Sequence, residues 1–542
     1  MVADSMRKRA KHTRSRRGCT VCRIRRIRCD ETSPACNKCT STGRKCEGLP
    51  QSALEWKAAH TLMQLILHRG STNASSAEDR SFAYFRRHTS PHFAAPFGNE
   101  FWTCLVLQIA EREYSIKQAI IALGALHESF TDEHLPSHLQ STLPVGFLHK
   151  SNRSLSNLAT ASYTRALRGL NQYIVPQTYD GLHVALLCVI LFTSFEWLRG
   201  SYAAATMHLK CGLNILRQWS STTCTSPNTP TTHFVRSQIA PVFVRLSIQA
   251  RTFTQDITPL PWLSTGFFAQ SSSGDAQSKD QIRAARDALD VVCSEIYLRP
   301  SGFTLLSADC LLSGPSSSLP ADDFTLCQHS SSEFSVRLAE WFAKYHMHLL
   351  LLPCPPQEAP RPENVSLTMW YTVLSLLQAT SSTSDPMALD AYLTPFSHIV
   401  SLARLLMGAS GMPALQACSQ IPMESHDTPR FRIDMETVPM LYHVASKCRH
   451  QALRREAIAL LRMGASREGL WDGWAVARLA EEIMTMEEEG LVGVEMCGPE
   501  VVPACQRVSR LIEETDLQTR TMRVRLKKWG EDDYGEWRML AW

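Results

Sequence analysis

Residues 19–39 read CTVCRIRRIRCDETSPACNKC, and a sixth cysteine follows at Cys46. The six cysteines follow the spacing C-x2-C-x6-C-x6-C-x2-C-x6-C, so the same x2 and x6 intervals occur once in each half. A C-x2-C pair lets one tight turn direct two thiolates at the same ion, and Zn²⁺ takes four ligands in a tetrahedron at roughly 2.3 Å. Six thiolates fill two tetrahedra only when two sulfurs bridge both ions. The spacing therefore predicts a cluster of two zinc ions that share six cysteines, over residues 19–46.

The rest of the chain favours metal binding over disulfide bonding for these cysteines. Residues 1–18 contain no apolar signal-peptide segment. The longest apolar run, residues 184–195, has 12 residues, which is too short to cross a bilayer. We therefore expect an intracellular, reducing environment and no membrane partner. A disulfide network and a zinc-ribbon or RING-like site are the alternatives, but neither explains the repeated x2/x6 rhythm.

The charge of the chain is divided unevenly. Residues 1–46 hold 14 Lys/Arg and 3 Asp/Glu, whereas the remaining residues hold 42 and 48. The protein is thus a small basic head joined to a mildly acidic body. Such an asymmetry indicates a polyanionic partner for the head.

The cysteine-rich stretch resembles the fungal zinc binuclear cluster (Zn₂Cys₆) family of transcription factors. It shares with that family the basic run between the second and third cysteines, the Cys29–Asp30 pair, and Pro34 two residues before the fourth cysteine. The resemblance implies that Cys19 and Cys36 bridge the two ions. It further implies the terminal ligands, which are Cys22 and Cys29 for one site and Cys39 and Cys46 for the other.

Four arginines lie between the second and third cysteines: Arg23, Arg25, Arg26 and Arg28. If residues 23–28 form a short helix, Ile24 and Ile27 share one face and the arginines point outward. The resemblance implies that such a helix enters the major groove of double-stranded DNA and reads CGG-type triplets. We assign Arg25 and Arg26 to bases, because arginine can bind guanine through two hydrogen bonds, and Arg23 and Arg28 to phosphate or cluster support. The alternative is that they form a solvated or nuclear-import face.

Upstream, residues 1–18 form a basic arm without apolar periodicity. It is expected to serve as a nuclear localisation signal, as a set of phosphate contacts, or both. Its basic residues are Arg7, Lys8, Arg9, Lys11, Arg14, Arg16 and Arg17.

The remainder predicts a linker, residues 47–77, with one short amphipathic helix, followed by a large all-α regulatory domain, residues 78–542. The helix at 53–67 lacks a sustained heptad repeat, so any homodimer is expected to form through the helical body. Alternation at Met522, Val524 and Leu526 predicts a short C-terminal β-hairpin. The predicted helices are 101–130, 181–200, 281–297, 332–352, 365–381, 386–408, 436–463 and 469–489. Scattered segments of 78–474 resemble the fungal-specific transcription factor domain that accompanies such zinc clusters.

These observations predict a nuclear, sequence-specific DNA-binding regulator of genes transcribed by RNA polymerase II. No enzyme is expected, because the chain has no G-x-x-x-x-G-K-[ST], G-x-G-x-x-G or H-E-x-x-H motif. The alternative is a nuclear scaffold, in which zinc only stabilises the head and the helical body binds protein partners. The arginine-rich loop favours the regulator, since a purely structural cluster does not need it.

Overall fold

The described part of the chain falls into two structural units, Met1–Ser75 and Ser76–Trp542. Nearly all of the predicted linker, with its amphipathic helix, lies outside the described residues, as do the basic arm and residues 409–429. The computed structural model describes residues 19–25, 27, 29–30, 32, 35–46, 77–98, 100–133, 147–174, 181–223, 230–253, 257, 278–296, 334–345, 360–380, 383, 385–408, 430–463, 466–491 and 498–542.

The described residues of the first unit include two short helices, α1 (Thr20–Ile24) and α2 (Asn37–Thr40). The predicted helix over 23–28 is wrong in position, because α1 begins directly after Cys19 and ends at Ile24. Ile24 and Ile27 are both exposed to solvent, at 76% and 38%. Cysteines occupy the interior, with half-buried Val21 packed against them. A module this small has no room for an apolar core, so the sulfur atoms take that place.

The second unit is mostly helical, as predicted. Within the part of it that the structure describes, three helical segments contain π-helical turns, at Phe85–Thr89, Phe101–Leu105 and Val235–Ile239. Short 3₁₀ helices lie at Ala388–Tyr392, Pro499–Val501 and Ala504–Gln506. The helices are α3 (Ala77–Tyr84), α4 (Ser90–Ala94), α5 (Val106–Ala110), α6 (Tyr114–Glu133), α7 (Phe147–Ile174), α8 (Leu182–Arg199), α9 (Tyr202–Thr223), α10 (Pro230–Phe234), α11 (Ala240–Arg251), α12 (Ser278–Ile296), α13 (334–345), α14 (Pro362–Ala379), α15 (Leu393–Leu406), α16 (Val438–Lys447), α17 (Gln451–Met463) and α18 (Gly473–Glu487).

Helix α8 lies at the centre of this unit. It extends beyond the apolar run 184–195 at both ends, so that, contrary to the expectation from that run, it is long and apolar enough to cross a membrane. However, 78% of that stretch is buried inside the protein, as in the core helix of a globular domain. Helices α6 and α9 pack along it, and α3 and α7 pack on α6. Gly124 permits the close approach of α3 and α6, because a Cβ there would lie 2.2 Å from the carbonyl oxygen of Ser81. Gly200 ends α8 at φ +86°, where its N–H bonds the carbonyl of Trp197.

Two small sheets interrupt the helical pattern. The first joins β1 (Arg430–Arg432) to β2 (Ser466–Glu468) in parallel and β2 to β3 (Trp471–Asp472) in antiparallel order. The sequence did not predict this sheet. Strands β1 and β2 flank the predicted helix 436–463, which forms as two helices, α16 and α17, and β3 lies within the predicted helix 469–489. The second sheet contains β4 (Val508–Asp516), β5 (Thr521–Lys528) and β6 (Arg538–Ala541), all antiparallel. It contains the predicted hairpin, with its alternating buried residues on β5, and adds a third strand.

A buried carboxylate connects the C-terminal sheet to the helices. Glu487, at the end of α18, binds the guanidinium groups of Arg449 and Arg454 and accepts the N–H of Val508 at 2.8 Å. Burial alone would raise the pKa of Glu487, but the two arginines outweigh it and lower the pKa to about 2. The ionised form of Glu487 therefore stabilises the junction of α17, α18 and β4.

Replacing Glu487 with Gln should lower the free energy of unfolding by about 3–5 kcal/mol at pH 7, because two buried guanidinium groups lose their counter-charge. The matched control is Glu514→Gln, since the Glu514–Arg523 pair is exposed and is expected to contribute about 0–1 kcal/mol. Because the folded pKa is depressed, the contribution of Glu487 is complete above the ordinary Glu pKa of about 4.3 and is lost as the pH falls towards 2. Urea denaturation across this pH range measures both effects. Equal stability losses for the two variants at pH 7 would contradict the assignment.

Candidate metal centre and nucleic-acid interface

Four cysteine sulfurs of the first unit lie at the separation that zinc requires. The Sγ atom of Cys19 is 3.7 Å from those of Cys36 and Cys39. The Sγ atom of Cys22 is 3.6 Å from that of Cys36 and 3.8 Å from that of Cys39. Two thiolates on one tetrahedral zinc lie about 3.8 Å apart, whereas a disulfide brings two sulfurs to about 2.05 Å. These cysteines therefore fit metal ligation and do not form disulfides with one another.

The remaining two cysteines approach the same centre. Cys29 is buried and groups with Asp30 and Cys36, so that Cys36 belongs to both clusters of possible ligands. The half-buried Cys46 accepts the backbone N–H of Cys36 at 3.4 Å. The structure thus gathers all six predicted cysteines around one centre. Which sulfurs bridge and which are terminal stays a prediction.

Burial makes three of these thiols, those of Cys19, Cys22 and Cys36, poor acids until a metal binds. Desolvation raises the pKa of Cys19 to about 12 and raises those of Cys22 and Cys36 above the ordinary thiol value. A bound zinc ion supplies the positive charge that lets such thiols ionise, so metal binding releases protons. The donor set, all soft sulfur atoms, suits zinc.

Asp30 holds the two halves of the module together. Its Oδ2 accepts the N–H of Asn37 and the hydroxyl of Thr32, each at 3.0 Å, and its Oδ1 accepts the N–H of Lys38 at 3.4 Å. Partial desolvation acts in the opposite direction, but these hydrogen bonds lower the pKa of Asp30. The carboxylate therefore caps α2 directly after Cys36. This contact explains why aspartate follows Cys29, and the Asp-x-Thr spacing at Thr32 is the sequence signal that was overlooked.

Arg25 makes a second connection between the halves. Its guanidinium donates hydrogen bonds to the carbonyl of Lys38 and the hydroxyl of Thr42, both at 3.2 Å. These partners give Arg25 a role inside the module, beside the predicted role in base contact, which stays a prediction. The side chains of Arg23, Arg26 and Arg28 lie outside the described residues. So do the basic residues of the arm, Arg7, Lys8, Arg9, Lys11, Arg14, Arg16 and Arg17.

Two family models match the chain. Residues 17–55 match the fungal Zn(2)-Cys(6) binuclear cluster domain, and residues 80–281 match the fungal specific transcription factor domain. The first match spans every cysteine of the cluster, and the second runs from within α3 to the start of α12. No solved structure matches the chain.

Curated relatives are transcription regulators of fungi. The aspercryptin biosynthesis cluster-specific transcription regulator atnN of Emericella nidulans is 24% identical, over 88% of this chain and 88% of its own length. The transcription regulator lscL of Purpureocillium lilacinum is 26% identical, over 36% of this chain and 48% of its own. The transcriptional regulatory protein moc3 of Schizosaccharomyces pombe is 56% identical, over 8% of this chain and 9% of its own. The first similarity extends over both units of the chain.

Replacing Asp30 with Ala should weaken zinc binding by about tenfold or more, because the groups that orient metal ligands typically contribute that much. The variant loses the acceptor for the amides that follow Cys36. Asn37→Ala is the matched control, since it alters the same turn but keeps the backbone N–H that Asp30 accepts. Competition of the full-length protein with a chromogenic chelator measures zinc affinity. Equal affinities for the two variants would show that Asp30 does not position the ligands.

Proposed function

We propose that this protein is a nuclear, sequence-specific DNA-binding regulator of RNA polymerase II genes. The chain joins a fungal Zn(2)-Cys(6) binuclear cluster domain to a fungal specific transcription factor domain, and so belongs with the fungal zinc cluster transcription regulators. The observation that carries the proposal is a sulfur cluster of zinc-binding dimensions with an arginine-rich segment between its second and third cysteines. Family membership further supports a regulator over an enzyme.

The charge of the head supports a nucleic acid as its partner. Residues 1–46 carry a formal charge of +11, and six thiolates with two zinc ions change it to about +9. The remaining residues carry a net negative charge, so attraction to phosphate resides in the head. We propose that residues 1–77 bind DNA and that residues 78–542 form the regulatory domain. Any homodimer formed by that domain would raise DNA affinity through effective concentration.

Among the four arginines, the contacts favour a division of roles. Arg25 has protein partners on Lys38 and Thr42, which leaves Arg26 as the foremost candidate for reading guanine. Arg23 and Arg28 are proposed to bind phosphate or support the cluster. The arm would add phosphate contacts and a nuclear localisation signal.

The proposed ligand assignment makes Cys19 and Cys36 the bridging residues. Replacing either with Ala should therefore remove both zinc ions, whereas Cys22→Ala or Cys46→Ala should primarily remove one. Native mass spectrometry of the full-length protein counts the ions directly. Two zinc ions per wild-type chain are expected. A single ion in the wild type, or equal losses in all four variants, would overturn the assignment.

Arg26→Ala should reduce the preference for CGG-type duplexes over scrambled duplexes, by about 1–3 kcal/mol for a lost two-bond guanine contact. Arg16→Ala in the arm is the control, because losing a phosphate contact weakens binding to all sequences and reduces the salt dependence. Fluorescence anisotropy at several salt concentrations separates the two effects. A wild-type protein that binds both duplexes equally would contradict direct readout.

That last result would favour the alternative, a zinc-stabilised nuclear scaffold whose helical body binds protein partners. Both proposals need a folded zinc cluster, so zinc counting alone does not separate them. A preference for one DNA sequence does separate the two proposals, because a protein scaffold does not require sequence-specific DNA binding.

A further inference from the structure

An apolar side chain is exposed within the arginine-rich segment of the head. Ile24, the last residue of α1, is 76% exposed. Within the part of the head that the structure describes, it is the most exposed of the large apolar side chains. A surface that covered it would be stabilised by the hydrophobic effect. The arginines of this segment are Arg23, Arg25, Arg26 and Arg28.

The orientation of α1 directs Ile24 away from the cysteine cluster. Cys22 is fully buried, and Val21 packs against the sulfur atoms. Residues two apart on an α-helix point about 200° apart, so Ile24 lies on the face opposite Cys22. The neighbouring Arg25 does not cover it, because its guanidinium donates hydrogen bonds to the other half of the module, at 3.2 Å. The packing of the cluster therefore leaves Ile24 free for a partner.

Charge decides which kind of surface can cover Ile24. With two zinc ions bound, residues 1–46 carry a formal charge of about +9. A second copy of the head would be repelled by this charge, whereas the phosphates of DNA are attracted to it. Double-stranded DNA is therefore the partner that the surroundings of Ile24 favour.

The major groove of DNA offers one apolar group to such a side chain. The base edges there present hydrogen-bond donors and acceptors, and thymine adds its C5-methyl group. Isoleucine has no side-chain donor or acceptor, so it gains no hydrogen bond from any base edge. In the groove, the thymine methyl group is therefore the one feature that Ile24 can recognise.

We propose that Ile24 reads the methyl group of a thymine beside the CGG-type triplet. The inference rests on the proposed function, because it places this contact next to the guanine assigned to Arg26. Two residues of chain span at most about 7 Å, which is about two base pairs at 3.4 Å each, and the long arginine side chain adds about one more. The thymine is thus expected within about three base pairs of that guanine. Arg26 would select the triplet, and Ile24 would select its flank.

Deoxyuridine tests this contact without altering the protein, because it pairs as thymine does and lacks the methyl group. Duplexes carry one CGG-type triplet with T–A pairs at the three flanking positions on each side, in both strand orientations. Each thymine is replaced in turn, and fluorescence anisotropy measures the affinity of the full-length, zinc-loaded protein. One replacement should weaken binding about fourfold, the effect of one buried methyl group. Control replacements about six or more base pairs from the triplet should have no effect.

A variant shows whether Ile24 makes the contact. Ile24→Ala should bind the thymine duplex fourfold or more weakly than the wild type does, at about the same factor as the methyl deletion. It should lose no further affinity when the critical thymine becomes deoxyuridine. Met207→Ala is the matched control, because Met207 is 58% exposed on α9 of the body and should not affect DNA binding. Native mass spectrometry should find two zinc ions in both variants. If Ile24→Ala binds less zinc, the deoxyuridine scan of the wild type decides alone.

The outcomes separate this inference from the proposed function. Equal affinity after every deoxyuridine replacement, with the CGG preference intact, would overturn the methyl contact and leave the proposed function standing. An effect of the methyl group without any CGG preference would overturn the triplet reading and support the contact. An Ile24→Ala protein that still distinguishes thymine from deoxyuridine would overturn the assignment to Ile24. So would a variant whose DNA affinity is unchanged but whose sedimentation mass falls, because Ile24 would then pack against protein.

Discussion

Sulfur atoms, rather than apolar side chains, form the interior of residues 19–46. Five of the six cysteines are buried, and the isoleucines of the same stretch face outward. With so few buried apolar groups, the head depends on metal coordination for its stability, because zinc-binding free energy is folding free energy in such modules. The arrangement of α1 and α2 follows from the positions that the sulfur atoms must occupy.

Hydrogen bonds around the cluster transmit this constraint to the backbone. Asp30 caps α2 and Arg25 reaches from the first half to the carbonyl of Lys38, so each half of the repeated pattern holds the other. The proposed DNA-reading segment must keep its shape against the repulsion of its own arginines. The hydrogen bonds of Asp30 and Arg25, together with the shared metal ions, make the module rigid.

The body uses a different source of stability. A buried apolar helix, α8, organises the neighbouring helices, and buried carboxylates close the junctions between distant segments. Glu468 on β2 accepts the N–H groups of Glu436, Thr437 and Val438 at 2.7, 3.0 and 3.1 Å, and so caps α16. Buried carboxylates lose their hydration, and those whose oxygens all accept hydrogen bonds specify how the segments join.

The sequence by itself determined the zinc cluster, the charge difference between head and body, and the helical character of the body. These features follow from local spacing and periodicity: two to six residues between cysteines, and three or four between apolar positions on a helix. It also predicted the alternation on β5, which lies within a single strand. The small sheet of β1 and β2 and the capping carboxylates were decided only by the tertiary structure. Their groups are far apart in the chain, so no local pattern records them. The exposure of Ile24 was also decided only by the tertiary structure, because the positions of the cysteine sulfurs determine which face of a short helix is buried.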